Sequence, residues 1–300
     1  MHNHKNRTRI DGIIYTVLAF FLWGIFPIYW KLLNTLPALE ILAHRILWSL
    51  IFVTIFLFIT KRLTIGQLLN DIHARKVLVS TSLLIGVNWF TYVFAVNSGR
   101  IVEASMGYYI NPLVSVFLGL VVLKERLSAL QTCALILAIV GVLYITIDYG
   151  RLPWIALVLA FAFGFYGLLK KTSQLASLPS LMVETLFLSP LAISVVIYGA
   201  LRGSGALFSI SIGMDFLLIF AGIVTVLPLY WFAEGAKRIP LSSVGFFQYI
   251  APTFMLCIGV FMYHEAFTRT HLISFSLIWC ALIMYTFTLV KAKHDSLRIQ

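Results

Sequence analysis

Ten apolar runs divide this chain, and each is long enough to cross a lipid bilayer. A bilayer core takes about 20 apolar residues of helix, and every backbone amide inside it needs a partner within the protein. The runs lack the alternation of a barrel strand. The sequence therefore predicts an all-α integral membrane protein with ten transmembrane helices, at about residues 12–31, 40–60, 77–97, 103–123, 127–147, 153–170, 180–201, 215–233, 243–262 and 271–290.

The composition agrees with a membrane protein. Charged residues make up 11% of the 300 residues, against about 25% in soluble domains. The net charge of +11 comes from small basic groups beside the apolar runs, a pattern typical of membrane topology and not of nucleic-acid binding. Cys133, Cys257 and Cys280 lie inside apolar runs without metal-ligand spacing. We expect them to be small buried apolar side chains, and we expect neither a metal site nor a cofactor.

One motif occurs twice, in 105–146 and in 243–286. Each copy opens with Ser, any residue, Gly and two aromatic residues, and continues with Pro, Gly and Glu at the same spacing. An offset of 140 residues relates Pro112 to Pro252, Gly119 to Gly259 and Glu125 to Glu265. A period near half the chain length indicates an internal duplication. We predict five-helix repeats at 12–147 and 153–290, with tails at 1–11 and 291–300.

The distribution of Lys and Arg predicts the orientation of the chain. With the N-terminus inside, the inner segments carry 16 of these residues and the outer segments five, while Arg45 lies within a span. The excess of positive charge predicts that both termini are cytoplasmic. Because each repeat has five helices, the second repeat is expected to be inverted relative to the first. Inverted repeats are typical of secondary transporters, in which they open a central site to alternate sides.

The first half also resembles a known family. LWGIFPIYWKLL at Leu22–Leu33, followed by EILAHRILWS at Glu40–Ser49, is similar to the RarD-type branch of the EamA family within the drug/metabolite transporter superfamily. The resemblance extends over nearly the whole chain. It implies a bacterial inner-membrane permease with a central pocket between its halves. The branch is linked by name to chloramphenicol sensitivity, but the resemblance implies no physiological substrate. At the repeat offset, His44 and Arg45 align with Glu184 and Thr185, so the repeat predicts architecture and not matching chemistry.

Polar residues in the second span are the first candidates for a site. A charge inside a membrane is costly, so such residues usually face a wet cavity or find partners. We predict that His44 and Arg45 line the substrate cavity, and Glu40, His44 and Trp48 share one helix face. The alternative for Arg45 is an anchor that reaches to the outer interface. His44 is also a candidate for proton coupling, because imidazole titrates near neutral pH.

Glu184 lies near the inner end of the seventh span, and two roles are open for it. It could form a structural ion pair with Lys170 or Lys171, at the end of the preceding helix. Alternatively, it could be a proton or cation site. A Glu184→Gln variant that still transports would leave only the structural role.

Aromatic rings and amides supply the remaining candidates. Such a combination forms a cradle for a mostly apolar or zwitterionic small molecule. The alternative is anchoring at the membrane interface, which we expect for Tyr29 and Trp30. The predicted lining residues of the central cavity are Trp23, Pro27, Asn88, Tyr92, Asn111 and Gln248.

Other residues are expected to shape the bundle. Prolines inside spans remove a backbone hydrogen bond and permit a kink, and we predict hinges at Pro112, Pro228 and Pro252. Small residues let helices approach closely, which we expect of Gly107, Gly119, Gly245 and Gly259. We predict that four acidic residues near span ends set turns and topology: Glu103, Glu125, Glu234 and Glu265.

These observations predict a secondary transporter that moves a small organic solute, metabolite or drug-like, across the bacterial inner membrane by alternating access. The expected direction is export. The chain has no ATP-binding motif, so a gradient or a counter-substrate would supply the energy. A lipid flippase of the same fold is the alternative, and a membrane-embedded enzyme is disfavoured because no catalytic motif is present. The expected partners are membrane lipids and the solute, with no nucleic acid, and the sequence does not indicate an oligomer.

Overall fold

The structure is a computed structural model that describes residues 2–61, 66, 70–98, 100–150, 152–173, 175–264 and 267–298. Side chains are described for the same residues except 2–7, 96, 97, 101–103 and 289–298. Two of the acidic residues discussed above therefore lie outside the described part: Glu265 and the side chain of Glu103.

All regular secondary structure in the described residues is helical. Ten of the described helical stretches are long and apolar enough to cross a membrane, which confirms the predicted class and number. The ninth span is divided into two α-helices, α9a and α9b, and a π-helical turn at Ile258–Met262. The helices are α1 His2–Lys31, α2 Ala38–Ile59, α3 Ile72–Asn97, α4 Ile101–Val121, α5 Ala129–Tyr149, α6 Trp154–Thr172, α7 Ser177–Leu201, α8 Ile212–Arg238, α9a Leu241–Gln248, α9b Ile250–Cys257 and α10 Arg269–Arg298.

Local sequence explains several helix ends. Ser128 caps α5, since its hydroxyl accepts from the Gln131 amide at 3.3 Å and the Gln131 side chain accepts from the Ser128 amide at 2.9 Å. This reciprocal pair satisfies two amides that the first turn of a helix leaves unpaired. Gly150 ends the same helix in a left-handed conformation, with φ of 76°, which costs glycine no steric strain.

The break in the ninth span follows from Pro252. Proline has no amide hydrogen, so it cannot donate to the carbonyl of Gln248, four residues earlier. The helix is interrupted at Tyr249, between α9a and α9b. This places the Gln248 side chain at a discontinuity in the middle of the bundle. Pro112 and Pro228 lie inside α4 and α8, and each of those helices is continuous.

Helix packing follows one pattern in both halves of the chain. Helix α1 packs on α8, and α3 packs on α6. If five is added to each helix number, with α1 counted again after α10, the first pair becomes the second. The α2–α7, α4–α9a and α5–α10 pairs each map onto themselves under the same shift. These five helix pairs are therefore related by the shift.

Successive helices cross in opposite directions, which gives the bundle two ends. We call the end with Gly12, Lys170, Arg238 and Leu241 the N-terminal face, and the end with Trp30, Arg45 and Ala104 the distal face. The α1–α8 contact at the N-terminal face is close, because a Cβ atom on Gly235 would lie 2.2 Å from the Thr16 hydroxyl. Gly245 makes a similar approach to α4, where a Cβ would lie 2.7 Å from the Pro112 carbonyl oxygen. For Gly245, the structure has the close helix contact that the sequence predicts.

The cysteine prediction was wrong for two of the three residues. Cys133 and Cys280 are exposed on the surfaces of α5 and α10, and Cys257 is half-buried. A helix face in contact with lipid is as apolar as a buried face, so hydrophobic neighbours do not distinguish the two environments.

Candidate functional site

A cavity of about 330 Å³ lies inside the bundle. Its lining comes from α1, α2, α3, α4, α6, α8 and both parts of the ninth span. On every one of these helices, the lining residues lie at the middle or in the half nearer the distal face. The volume is at the lower end of the range for pockets that bind small organic molecules, which is about 300–1,000 Å³.

Seven of the predicted lining residues contribute to this cavity. They come from α1, α2, α3, α4 and α9a: Trp23, Pro27, Arg45, Asn88, Tyr92, Asn111 and Gln248. His44 does not line it. Its side chain is 2% exposed on another face of α2, and its Nε2 atom has no hydrogen-bond partner among the described residues.

Arg45 is the cationic group in the wall of this cavity. Its Nε donates to the Thr225 hydroxyl at 3.1 Å. The guanidinium carbon lies 4.6 Å from the ring centroid of Trp30 and 5.4 Å from that of Trp89. Indole faces attract a guanidinium through their quadrupole. Four helices, α1, α2, α3 and α8, therefore meet around this one side chain.

Amide groups supply the other polar atoms of the cavity. Asn88 donates from Nδ2 to the Leu159 carbonyl oxygen at 2.9 Å, and Gln248 donates from Nε2 to the Ser115 hydroxyl at 3.0 Å. Gln248 is 3% exposed. The Oε1 atom of Gln248 and the Oδ1 atom of Asn111 are buried and have no partner in the described part of the chain. Both residues line the cavity, and each has an acceptor that no group of the described chain satisfies.

Aromatic rings close the cavity toward the N-terminal face. Trp23 meets Phe163 edge-on, with centroids 5.6 Å apart, and Phe163 lies 4.9 Å from Phe232. Phe232 in turn stacks on Tyr166 at 6.2 Å. Phe232 and Tyr166 are fully buried, so a dry layer separates the cavity from the charged residues beyond it.

Beyond this layer lies a buried ion pair. Lys170 Nζ is 2.6 Å from Glu184 Oε1, and both side chains are 3% exposed. The Tyr166 hydroxyl donates to Glu184 Oε2 at 3.1 Å, and Lys170 also donates to the Ser180 hydroxyl. Of the two partners considered for Glu184, the structure has Lys170. Lys171 instead donates to backbone carbonyl oxygens of the α8 terminus.

Glu125 joins the two halves of the chain at the N-terminal face. Its two carboxylate oxygens accept hydrogen bonds from the backbone amides of Leu241 and Ser242, at 2.7 and 2.9 Å. These amides are unpaired donors at the start of α9a, where the helix dipole also favours a negative charge. Glu125 is therefore a cap for a helix of the other half, and this contact adds to the turn role predicted for it. Glu234 pairs with Lys237 and Arg238 within α8.

Comparison with known proteins connects this architecture to a family. The EamA-like transporter family matches residues 10–147. The uncharacterized transporter YojE of Bacillus subtilis is 49% identical over 290 residues, which are 95% of this chain and 96% of that protein. Protein RarD of Escherichia coli is 39% identical over 276 residues, 92% of this chain and 93% of the relative. The chain belongs to the EamA-like transporter family. Within that family it is a RarD-type protein.

Membership of the EamA-like family, together with ten apolar spans, makes this a multi-pass protein of the bacterial inner (plasma) membrane. The names of its relatives indicate a membrane transporter and a role other than catalysis. The Pseudomonas aeruginosa relative named chloramphenicol-sensitive protein RarD is 27% identical over 279 residues, 91% of this chain and 93% of the relative. A crystal structure matches the fold with a TM-score of 0.73 at 16% identity, over 93% of this chain and 98% of that chain.

The cavity of this RarD-type protein also contains residues that we did not predict. Trp30 was expected at the membrane interface, yet it lines the cavity under Arg45. Tyr108 and Phe163 line it as well. The repeat offset could have identified both, because Tyr108 is the counterpart of Gln248 and Phe163 is the counterpart of Trp23, each 140 residues apart.

Proposed function

We propose that this protein is a secondary transporter that carries a small organic solute through the central cavity by alternating access and exports it from the cell. The observation that carries the proposal is the cavity itself. Both halves of the chain line it, it has a few polar groups among aromatic rings, and packed layers separate it from the N-terminal face. This is the form of a binding site that opens to one side at a time.

Two observations support an inverted repeat as the basis of the movement. The 140-residue offset relates the Pro, Gly and Glu motif in the two halves. The main helix pairs are also related by adding five to each helix number, so that α1–α8 corresponds to α6–α3. An odd shift reverses the direction of each helix, so equivalent elements would cross the membrane in opposite senses. The basic residues favour a cytoplasmic N-terminal face. On this assignment, the present conformation is closed to the cytoplasm.

The contacts at the N-terminal face are the ones that would separate on opening. They are the glycine contact between α1 and α8, the cap that Glu125 places on α9a, and the aromatic layer beneath Trp23. A solute that enters from the cytoplasm has to pass all three. The energy would come from an ion gradient or from a counter-substrate, since the sequence has no nucleotide-binding motif, and we assign the protein no enzymatic role.

Ligand-induced stabilisation tests the proposal first. A ligand that prefers the folded state raises its melting temperature. Purified protein would be screened against amino acids, their derivatives, nucleosides and chloramphenicol, the last because of the name of one relative. Any compound that stabilises the protein is then tested for transport in sealed proteoliposomes. We expect at least one compound to do both.

Variants assign the effect to the cavity. Trp23→Ala and Asn88→Ala should abolish both stabilisation and transport of that compound. Trp154→Ala is the matched control, because Trp154 is 42% exposed and does not line the cavity. Transport that survives both cavity variants would contradict the proposal. Stabilisation by lipids alone would favour a lipid flippase.

A further inference from the structure

The cavity contains a positive charge that no carboxylate of the described chain balances. The ion pairs of the described residues involve Lys170, Lys237 and Arg238, each with a glutamate. Arg45 is absent from them, although it lies within a membrane span. Charges removed from water are normally paired or hydrogen-bonded, since the loss of hydration is costly. Arg45 lies in the cavity wall without a carboxylate partner among the ion pairs of the described residues.

The remaining contacts of Arg45 leave most of its donors free. A guanidinium has five N–H groups in a planar fork. One of them, at Nε, binds the Thr225 hydroxyl. The rings of Trp30 and Trp89 interact with the cation but accept no conventional hydrogen bond. Within the described structure, the N–H groups of the two terminal nitrogens therefore have no acceptor, and Arg45 lines the cavity.

This geometry is suited to a planar anion. Two parallel N–H groups of a guanidinium bind the two oxygens of a carboxylate, and such charge-assisted pairs are stronger than neutral ones. Exclusion of water by the surrounding rings strengthens the attraction further. A neutral amide offers only one oxygen without a formal charge, and an organic cation would be repelled.

The other walls indicate the rest of the solute. Trp23 and Phe163 provide apolar ring surface at the closed end of the cavity. The unpaired oxygens of Asn111 and Gln248 accept from an N–H or O–H group. Unpaired buried acceptors are rare in native proteins, and each one calls for an explanation.

We propose that the transported solute is an organic anion whose carboxylate binds Arg45 and whose ring-bearing body packs against Trp23 and Phe163, with a hydrogen-bond donor toward Asn111 or Gln248. This inference rests on the proposed function and specifies its substrate class. In the competing interpretation, Arg45 is a permanent link between helices, held by the two indoles and Thr225, and it has no preference for anions.

Four probes with a shared phenyl body separate the two interpretations. They are 3-phenylpropionate, its neutral analogue 3-phenylpropanamide, the cation 3-phenylpropylamine, and the zwitterion phenylalanine. Apparent affinities come from the concentration dependence of the melting temperature of the full-length protein. We expect both carboxylates to bind at least about tenfold more tightly than the amide, as is typical when a charge-assisted pair replaces a neutral bond. The amine should bind most weakly.

Substitutions of Arg45 then test the cause. Arg45→Gln should abolish the preference for carboxylate over amide, whereas Arg45→Lys, which retains the charge, should keep part of it. Arg202→Gln is the control: Arg202 also lies over an aromatic ring, 4.8 Å from Tyr198, but it is on the exposed surface. If Arg45→Gln does not fold, the order of the probe affinities for the unmodified protein and for Arg45→Lys still distinguishes the two interpretations of Arg45.

The following results would contradict the binding of an organic anion at Arg45. Equal affinity for acid and amide, tighter binding of the amine, or no binding of any probe would overturn the anion inference. So would an unchanged preference in Arg45→Gln. None of these results affects the transport proposal, which is tested separately by the compound screen and by the cavity variants Trp23→Ala and Asn88→Ala.

Discussion

Lys170 and Arg45 are two cations inside the same bundle, and their surroundings differ in one respect. Lys170 lies 2.6 Å from Glu184, and Ser180 gives it a further oxygen. Arg45 has one hydroxyl and two indole faces. The first charge is neutralised within the protein, while the second faces a cavity. We propose on this basis that the Lys170 site stabilises one conformation and that the Arg45 site receives a ligand.

The same contrast applies to the two ends of the bundle. The N-terminal face is held by charge and by backbone contacts: the Lys170–Glu184 pair, the cap from Glu125 and the approach of Gly235 to Thr16. The distal half is lined by rings and amides around open space. Substitutions at the first end should therefore change stability and access, and substitutions at the second should change binding.

The largest effect is expected from Glu184→Gln. It leaves the buried ammonium of Lys170 without its counter-charge, and removal of one partner of a buried ion pair costs about 3–5 kcal/mol. The free energy of unfolding in detergent would be measured by denaturant titration. The double variant Lys170→Met/Glu184→Leu should recover most of the loss, since it removes both charges. A Glu184→Gln protein as stable as the parent would contradict the structural role of the pair, and the transport rate of the same variant tests the proton-site alternative for Glu184.

A smaller effect on stability, with a change in access, is expected from Glu125→Gln. The amide keeps one acceptor but turns an NH₂ group toward a backbone amide, so one hydrogen bond is lost at a cost of about 1–3 kcal/mol. The cap on α9a weakens, and the N-terminal face should open more often. A cysteine at Met255, which lines the cavity, would report this by faster maleimide labelling from that face in a cysteine-free background. Asp148→Asn, at an exposed carboxylate near the end of α5, is the control and should not change labelling.

These two regions also show what the sequence can and cannot predict. The number of helices follows from run length alone. Six of the seven correctly named lining residues, all except Pro27, could be predicted because polar or aromatic groups at mid-membrane depth have few places to face. Trp30 could not be assigned in the same way, since an interfacial anchor and a cavity wall can lie at the same depth. The exposure of Cys133 and Cys280 was not predictable either, because lipid and protein interior are equally apolar.

His44 illustrates a limit of helix geometry. Consecutive residues on a helix point about 100° apart, and of the pair His44 and Arg45 only Arg45 lines the cavity. Residues four apart share a face, which groups His44 with Glu40. The Glu40 carboxylate accepts from the Ala206 amide, away from the cavity. The spacing thus predicts that His44 and Glu40 lie on the same face of α2, but only a structure shows which face of α2 meets the cavity.

A third prediction concerns ligand affinity with little change in stability. Asn111→Leu replaces a carboxamide whose oxygen has no partner in the described chain by an apolar side chain of similar size. Removing an unpaired buried acceptor is close to neutral for folding, so the melting temperature without ligand should stay constant or rise. Affinity for a solute that donates to this oxygen should fall by about tenfold, the equivalent of one hydrogen bond. Titration of the melting temperature with that solute measures both quantities, and an unchanged affinity would remove Asn111 from the binding site.

The smallest effect is expected from His44→Gln. Glutamine retains hydrogen-bonding capacity and cannot titrate, so the variant isolates the proton-binding role that the sequence leaves open for His44. The side chain is 2% exposed and outside the cavity lining, where a proton from water has no evident path to it. We therefore expect the pH profile of transport in proteoliposomes to be unchanged, with a change in stability below about 1 kcal/mol. A profile that flattens between pH 5 and 8, the range in which imidazole titrates, would instead identify His44 as the coupling group and would place proton and solute on two separate faces of α2.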